Sequence, residues 1–137
     1  MTRMMLKTLT IALLAGGIGQ TALTLPAEAG GWISATYAPP GAEDAGALAT
    51  GLRLYSLYRG WHDASIRQSG HGNAAGLGQN GRGDLGIIQQ RGDGHSATLQ
   101  QNGNDNAYGI FQFGRRTAAN VEQNGDGGSG VTFSYGW

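Results

Sequence analysis

Residues 68–90 read QSGHGNAAGLGQNGRGDLGIIQQ, and glutamine recurs in this stretch at an interval of eleven residues. The interval continues to residue 123 without a slip, and a glycine stands two positions after each of these glutamines. The glutamines are Gln68, Gln79, Gln90, Gln101, Gln112 and Gln123. The glycines are Gly70, Gly81, Gly92, Gly103, Gly114 and Gly125. Such an interval indicates a repeat architecture, because compositional bias raises the frequency of a residue without fixing its phase.

Three further positions of the repeat keep one character each, at two, four and six residues before the glutamine. The first position is aliphatic and is occupied by Ile66, Leu77, Ile88, Leu99, Ile110 and Val121. The second is mostly small and is occupied by Ala64, Ala75, Gly86, Ala97, Tyr108 and Ala119. The third is polar and is occupied by His62, Asn73, Asp84, His95, Asn106 and Thr117. A spacing of two places all of them, with the glutamine, on one face of a β-strand.

The opposite face carries residues suited to water, namely Asp63, Ser65, Arg67, Ser96, Thr98, Gln100, Asn120 and Glu122. Gln89 also falls on this outward face, so we expect Gln89 and Gln100 to tolerate replacement by alanine. Each repeat is therefore predicted to be a strand of about seven residues followed by a Gly-rich turn of about four.

Two strands are predicted to form one coil of 22 residues. Isoleucine fills the aliphatic position at 66, 88 and 110, and leucine or valine fills it at 77, 99 and 121. Stacked coils would then place like residues above one another, about 4.8 Å apart, in an all-β β-solenoid. Buried glutamines, and Asn73 and Asn106, need amide bonds to the same residue in the coils above and below. The sequence therefore predicts side-chain amide ladders.

Residues 68–79 resemble the curlin repeat, in which glutamine is followed by glycine two, asparagine five, alanine seven and glutamine eleven residues later. Gln68, Gly70, Asn73, Ala75 and Gln79 match every position of this pattern. Partial matches begin at Gln90, Gln101 and Gln112, and the resemblance extends over about residues 62–134. His95 and Thr117 depart from the pattern in place of asparagine, and Tyr108 departs from it in place of a small residue.

This resemblance implies a subunit of curli, the extracellular amyloid fibre of bacterial biofilms. It implies as partners further copies of the chain, other curlin subunits and an outer-membrane export machinery. The implied location is a secreted fibre on the cell surface, with a role in biofilm matrix and adhesion.

Residues 1–29 have the organisation of a secretory signal peptide. Arg3 and Lys7 precede a largely apolar segment, and Ala27 and Ala29 provide small residues at the positions read by signal peptidase. A membrane-anchoring helix is the alternative, but glycines interrupt the apolar segment and leave it short of a membrane span. Residues 62–137 form the predicted repeat domain, and the segment 30–61 lies outside the repeat. We expect that segment to form a capping strand or a short helix over the first coil, and the resemblance implies an export signal.

Composition argues against several other classes of function. The chain of 137 residues has no cysteine, and removal of residues 1–29 leaves seven basic and eight acidic residues. No basic stripe suggests nucleic-acid binding. No metal site, cofactor or catalytic set is expected, because the aspartates drift between turns and the three histidines share no ligand spacing. Recognition of residues 82–84 or 91–93 by host integrins is not expected, since Gly-rich turns readily generate Arg-Gly-Asp by chance.

The remaining prediction is self-assembly into a fibre. A short solenoid ends in unpaired strand edges, and the sequence offers no proline, lysine or evident polar cap to block them. Matching uncapped ends make a head-to-tail contact that does not close, which produces a filament. A minor nucleating subunit of the same fibre, and a monomeric solenoid that binds a surface or ligand, are the alternatives.

The sequence allows two placements of the last strand: Val131, Phe133 and Tyr135 lie outward, or the strand has slipped by one residue.

Overall fold

The chain forms a β-solenoid of about three coils with a spacing of 22 residues, accompanied by one helix. The computed structural model describes residues 9–13, 21–25, 30–61 and 63–137. The elements before the repeat are β1 (Leu9–Leu13), β2 (Thr21–Leu25), β3 (Trp32–Tyr37) and α1 (Ala42–Arg59). The repeat strands are β4 (Ala64–Ser69), β5 (Ala74–Asn80), β6 (Leu85–Asp93), β7 (Ser96–Asn102), β8 (Ala107–Arg115), β9 (Ala118–Asn124) and β10 (Ser129–Gly136).

The repeat strands alternate between two parallel sheets. The first sheet contains β4, β6, β8 and β10 in that order, and the second contains β5, β7 and β9. Ile66 is in register with Ile88, and Ile88 with Ile110, while Leu77 is in register with Leu99. Equivalent residues therefore stack at intervals of one coil, as the 22-residue period predicts.

The interior of the solenoid is a narrow apolar column between the two sheets. Ile88, Leu99 and Ile110 are buried there together with Ala97 and Tyr108. Tyr108 fits at a position that usually holds a small residue because its neighbours in register are Gly86 and Gly130. A Cβ at Gly130 would overlap the Tyr108 ring. The departure from the repeat at 108 is thus compensated in the adjacent strands.

The six glycines that follow the repeat glutamines all have positive φ, from 82° at Gly114 to 149° at Gly81. A Cβ at any of the first five would overlap the carbonyl oxygen of the residue one coil later. The predicted strand length is wrong for β6 and β8, which are nine residues long and include Gly92 and Gly114. Their ladder continues through the glycine, since Gly92 pairs with Gly114 and Asp93 with Arg115.

The segment 30–61 contains a strand and a helix, and neither lies over the first coil as predicted. Strand β3 pairs antiparallel with β10 at the far end of the first sheet. Helix α1 packs on the outer face of the same sheet, against β6, β8 and β10. The helix ends at Arg59, and the cap residue Gly60 has φ 67°. The Gly60 N–H donates to the Leu57 carbonyl, and the Trp61 N–H donates to the Ser56 carbonyl.

The outer face of the first sheet is apolar under this helix, which corrects the prediction of two water-facing surfaces. Leu52 of α1 packs with Ile87, Phe111 and Val131 in a second core. Gln89 lies in the same covered region and is only 7% exposed, so its predicted outward, water-facing position is wrong. The sequence carries a signal for this packing, because the outward positions of β6, β8 and β10 include the apolar residues Ile87, Phe111 and Val131.

Strand β10 keeps the register of the solenoid. Thr132 pairs with Ile110, and Ser134 with Gln112. The aromatic residues of opposite parity therefore lie outward, and the alternative of a slipped strand is wrong. Phe133 and Tyr135 are 51% and 54% exposed on that outer face.

The N-terminal predictions fall mostly outside the described residues. Strands β1 and β2 form an antiparallel pair, and Thr24 of β2 pairs with Ser34 of β3. The remainder of residues 1–29 and His62, which was predicted to face the interior, lie outside the described part of the chain. No helix within the described ranges has the length and apolar character needed to cross a membrane.

Candidate functional site

Two columns of glutamine amides run along the interior of the solenoid. In the first sheet, Gln68 Nε2 donates to Gln90 Oε1 at 2.8 Å, and Gln90 Nε2 donates to Gln112 Oε1 at 2.8 Å. In the second sheet the corresponding bonds join Gln79 to Gln101 at 2.9 Å and Gln101 to Gln123 at 2.8 Å. All six glutamines thus belong to ladders in which each rung is one coil from the next.

A second hydrogen bond fixes the direction of each amide. Gln90 Nε2 also donates to the Ala74 carbonyl at 2.8 Å, and Gln112 Nε2 donates to the Ser96 carbonyl at 2.9 Å. Gln101 makes the equivalent bond to the Leu85 carbonyl at 3.1 Å. Rotation of any of these amides would set its oxygen against a carbonyl oxygen, so both columns have the same fixed polarity.

This polarity makes the two ends of the solenoid chemically different. At the first coil, no described residue donates to Gln68 Oε1 or Gln79 Oε1, so this end presents amide acceptors. At the last rung of the second column, Gln123 Oε1 accepts from Gln101, and no described residue accepts from Gln123 Nε2. That end therefore presents an amide donor.

Asn73 and Asn106 do not form a ladder with one another, which corrects the prediction of asparagine stacking. Asn73 Oδ1 accepts from the His95 N–H at 3.0 Å, and Asn73 Nδ2 donates to the Gly92 carbonyl at 2.8 Å. Asn106, one and a half coils later, makes the same pair of bonds: Oδ1 accepts from the Gly128 N–H and Nδ2 donates to the Gly125 carbonyl. Asn73 and Asn106 lie in different columns, and neither has an asparagine one coil away: the counterpart of Asn73 is His95, and those of Asn106 are Asp84 and Gly128. Each asparagine binds the main chain of the turn instead.

His95 replaces asparagine with a comparable set of hydrogen bonds. Its Nδ1 accepts from the Thr117 N–H at 3.3 Å and lies 2.8 Å from Thr117 Oγ1, while Nε2 lies 3.2 Å from the Arg91 carbonyl. These contacts require Nε2 to carry the proton, since a carbonyl can only accept. His95 is buried and has a structural role at the corner of the coil.

The aliphatic residues predicted for the core differ in burial with their distance from the ends. Ile88, Leu99 and Ile110 are at most 2% exposed, whereas Leu77 and Val121 are partly buried. Ile66 is 46% exposed, so its predicted burial is wrong. Strand β4 has no further strand before it, and one side of the Ile66 side chain consequently faces water.

The end formed by β4 and β5 is open on both sheets. Each of these strands is the terminal member of its sheet, so one edge of each has no neighbouring strand among the described residues. The exposed Ile66 side chain and the two glutamine oxygens lie at this same end. An unblocked edge beside apolar surface is a site for pairing with another strand.

The opposite end is open on one sheet and covered on the other. Strand β9 terminates the second sheet, but β3 occupies the edge of β10 in the first sheet. Hydroxyl pairs hold β3 in place from the interior side: Ser34 and Ser134 at 3.0 Å, and Thr36 and Thr132 at 2.9 Å. The expectation of two uncapped and matching ends is therefore wrong.

A network of hydroxyl groups around Tyr108 was not predicted from the repeat pattern. The Tyr108 hydroxyl oxygen is 2.8 Å from Thr132 Oγ1, which links it through Thr132 to Thr36 of β3. Burial raises the pKa of Tyr108, and the hydrogen bonds from Thr132 and Thr36 act in the opposite direction. The only signal in the sequence is that Tyr108 and Thr132 both fall at interior positions, 24 residues apart.

The remaining motifs are distributed along the molecule without forming a common site. Asp84 of the first Arg-Gly-Asp triplet is buried, whereas Asp93 of the second is exposed and lies 3.5 Å from His71. Within residues 30–61 and 63–137, no cluster of three or more His, Asp or Glu side chains could hold a metal ion. The glutamine ladders and the strand edges at their ends thus form the candidate functional site.

Comparison of the chain with family models, curated proteins and solved structures gives no match.

Proposed function

We propose that this chain is a subunit of a self-assembling extracellular fibre of the curli type, which contributes to matrix and adhesion. The observation that carries the proposal is the polarity of the glutamine ladder. Gln79 Oε1 at one end needs a donor and Gln123 Nε2 at the other needs an acceptor. A second copy placed head to tail satisfies both, and it does so with parallel strands in the register used inside the molecule.

The same polarity disfavours other ways of joining two copies. Two open ends placed face to face would set the oxygens of Gln68 and Gln79 against oxygens of the partner, with no donor between them. An amide without its partner in a buried contact costs about 1–3 kcal/mol. Head-to-tail contact between β9 and β5 of the next copy avoids this cost and produces a non-closing chain of subunits.

The covered edge of β10 supports a second candidate function, that of a nucleating or terminal subunit of the fibre. A nucleating or terminal subunit needs one end that templates growth and one end that does not continue it. The β4–β5 end is open on both sheets, while β3 covers half of the other end. A bulk subunit would instead have to release β3 before the first sheet could continue into the next copy.

Electron microscopy and thioflavin fluorescence of the chain from Gly30 to Trp137 test the general proposal. We expect cross-β fibres after a lag, with strand and sheet spacings of about 4.8 Å and 10 Å. Ile66→Lys should leave the coil folded, because Ile66 is half exposed, but should slow elongation by more than about tenfold by placing a charge in the joint. Gln100→Lys, on the exposed outer face of β7, is the matched control. A stable monomer, or an Ile66→Lys protein that elongates as fast as the control, would contradict the proposal.

A reversible cross-link separates the two roles. Phe133 and Ala35 face each other across β10 and β3, so cysteines at both positions can form a bridge that locks β3 in place. If the chain is a bulk subunit, the oxidised protein should stop elongating and reduction should restore growth. If it is a nucleating or terminal subunit, oxidation should leave its seeding activity unchanged.

A further inference from the structure

An elongated apolar groove lies on the outer face of the first sheet, beside helix α1. Its volume is about 550 Å³, and its apolar walls are Leu48, Leu52, Phe111, Phe113, Val131 and Phe133. Phe111 and Phe133 stack with their ring centroids 5.1 Å apart. Its volume and its largely apolar walls are within the range of small-molecule sites.

One end of this groove is positively charged. Arg59 of α1 and Arg91 of β6 both line it. Arg59 lies over the Trp61 ring at 5.3 Å, and no acidic side chain in the described part of the chain forms an ion pair with either arginine. Two unneutralised guanidinium groups beside an apolar wall complement an anionic head group.

A neutral donor lies on the same wall. Gln89 is 7% exposed and accepts a hydrogen bond from the Tyr55 hydroxyl at 3.3 Å through Oε1. No described residue accepts from Gln89 Nε2. The Gln89 amide nitrogen thus gives a ligand oxygen a further point of attachment.

The apolar part of the groove extends away from the arginines. A second depression is lined by Ile33, Ala35 and Tyr135, and it shares Phe113 and Phe133 with the first. Arg91, Phe113, Tyr135 and Ile33 are in register on successive strands. They span three strand spacings, or about 14 Å. The groove therefore fits a long, narrow apolar body with an anion at one end.

We propose that this groove binds a single-chain alkyl carboxylate as a monomer. The carboxylate lies between Arg59 and Arg91 and accepts from Gln89 Nε2, and the alkyl chain runs over Phe113 and Phe133 towards β3. A cationic amphiphile would meet two like charges, and a compact polar molecule would leave the apolar walls uncovered. The site uses residues of α1 and of the outer face, and so it does not depend on fibre formation.

Isothermal titration calorimetry of the full chain tests this site, with sodium dodecanoate below its micelle concentration as the probe. We expect one molecule bound per chain, and binding of dodecyltrimethylammonium chloride weaker by at least about tenfold. Arg91→Gln should weaken dodecanoate binding by about three- to fivefold, which corresponds to about 0.6–1 kcal/mol and is in the range of an exposed ion pair. Arg82→Gln, which removes the same charge from a turn outside the groove, should have no effect. Phe133→Ala, at a half-exposed position, should also weaken binding.

Equal affinity for the anionic and cationic amphiphiles would overturn the proposal, as would equal effects of Arg91→Gln and Arg82→Gln. Absence of dodecanoate binding, together with a dimer in sedimentation that Phe133→Ala dissociates, would assign the groove to a second copy of the chain instead.

Discussion

Asp84 Oδ1 accepts a hydrogen bond from the main-chain N–H of Asn106 at 2.9 Å, and the two residues occupy equivalent positions in successive coils. Asn106 repeats this bond to Gly128 and adds a second one from Nδ2 to the Gly125 carbonyl. Asp84 has no hydrogen to donate, and its buried Oδ2 has no partner among the described residues. The carboxylate thus occupies a position where an amide satisfies both of its polar atoms.

Asp84→Asn should therefore stabilise the fold. The new Nδ2 would donate to the Gly103 carbonyl, by analogy with Asn106, and remove an unsatisfied buried atom worth about 1–3 kcal/mol. The urea midpoint should rise without a change in its slope. Asp126→Asn, at an exposed turn position one repeat from the end, is the control and should change stability by less than about 0.5 kcal/mol. A lower midpoint for Asp84→Asn would show that the carboxylate has a donor in solution.

Replacement of Gln90 by alanine should destabilise the solenoid strongly. It removes the acceptor of Gln68 Nε2 and the donor to both Gln112 and the Ala74 carbonyl, at about 1–3 kcal/mol for each buried group left unpaired. Gln89→Ala should cost about 1 kcal/mol, because Gln89 is buried beneath α1 and bonded to Tyr55. Gln100→Ala, on the exposed face, should stay within about 0.5 kcal/mol of the unmodified chain. Chemical denaturation of the three variants gives the order directly.

Two turn glycines allow the energetic cost of backbone strain to be measured separately from the cost of a packing overlap. Gly92 and Gly125 have similar φ values of 124° and 110°, but only the Cβ of an alanine at 92 would overlap the Gly114 carbonyl. Gly125→Ala should thus cost only the conformational strain, about 1–2 kcal/mol, whereas Gly92→Ala should cost clearly more, since the coil above must move. Thermal unfolding by circular dichroism distinguishes them, and equal losses would mean that the stacking contact at Gly92 has no energetic effect.

Stability should fall at alkaline pH because of Tyr108. Burial raises the pKa of its hydroxyl above the ordinary value of about 10, so the unfolded chain loses this proton first. The contribution is fully present below about pH 10 and is lost as the pH rises through the raised pKa of the folded state. Tyr108→Phe should be less stable by about 0.5–1.5 kcal/mol at neutral pH, since the hydroxyl contact with Thr132 is lost. The variant should also have a flatter stability profile between about pH 9 and pH 11, measured by denaturation at each pH.

Secreted protein should begin at Gly30. Ala27 and Ala29 place small residues where signal peptidase reads the chain, so we expect Edman sequencing to give Gly-Gly-Trp. Met1 retained on membrane-associated protein would contradict this prediction. Ala29→Tyr should block cleavage by signal peptidase, whereas Ala35→Tyr should not.

The period, the strand faces and the two glutamine columns follow from the residue pattern alone. Each coil repeats the residues of the previous one, so a residue such as Gln90 meets its own kind 22 positions away at Gln68 and Gln112. Stacking identical units makes the tertiary contacts a direct copy of the sequence interval, and no other information is needed to find them.

The way in which the non-repeating segment joins the solenoid is visible in the folded molecule and not in the residue pattern. Ser34 meets Ser134 across 100 residues, and Leu52 packs against Phe111 on the outer face of the first sheet. These contacts do not follow the 22-residue interval, because β3 and α1 occur once and could cover either end or either sheet. Their placement depends on where the strand edge and the apolar outer face of β8 and β10 become available, and that surface exists only after the coils have stacked.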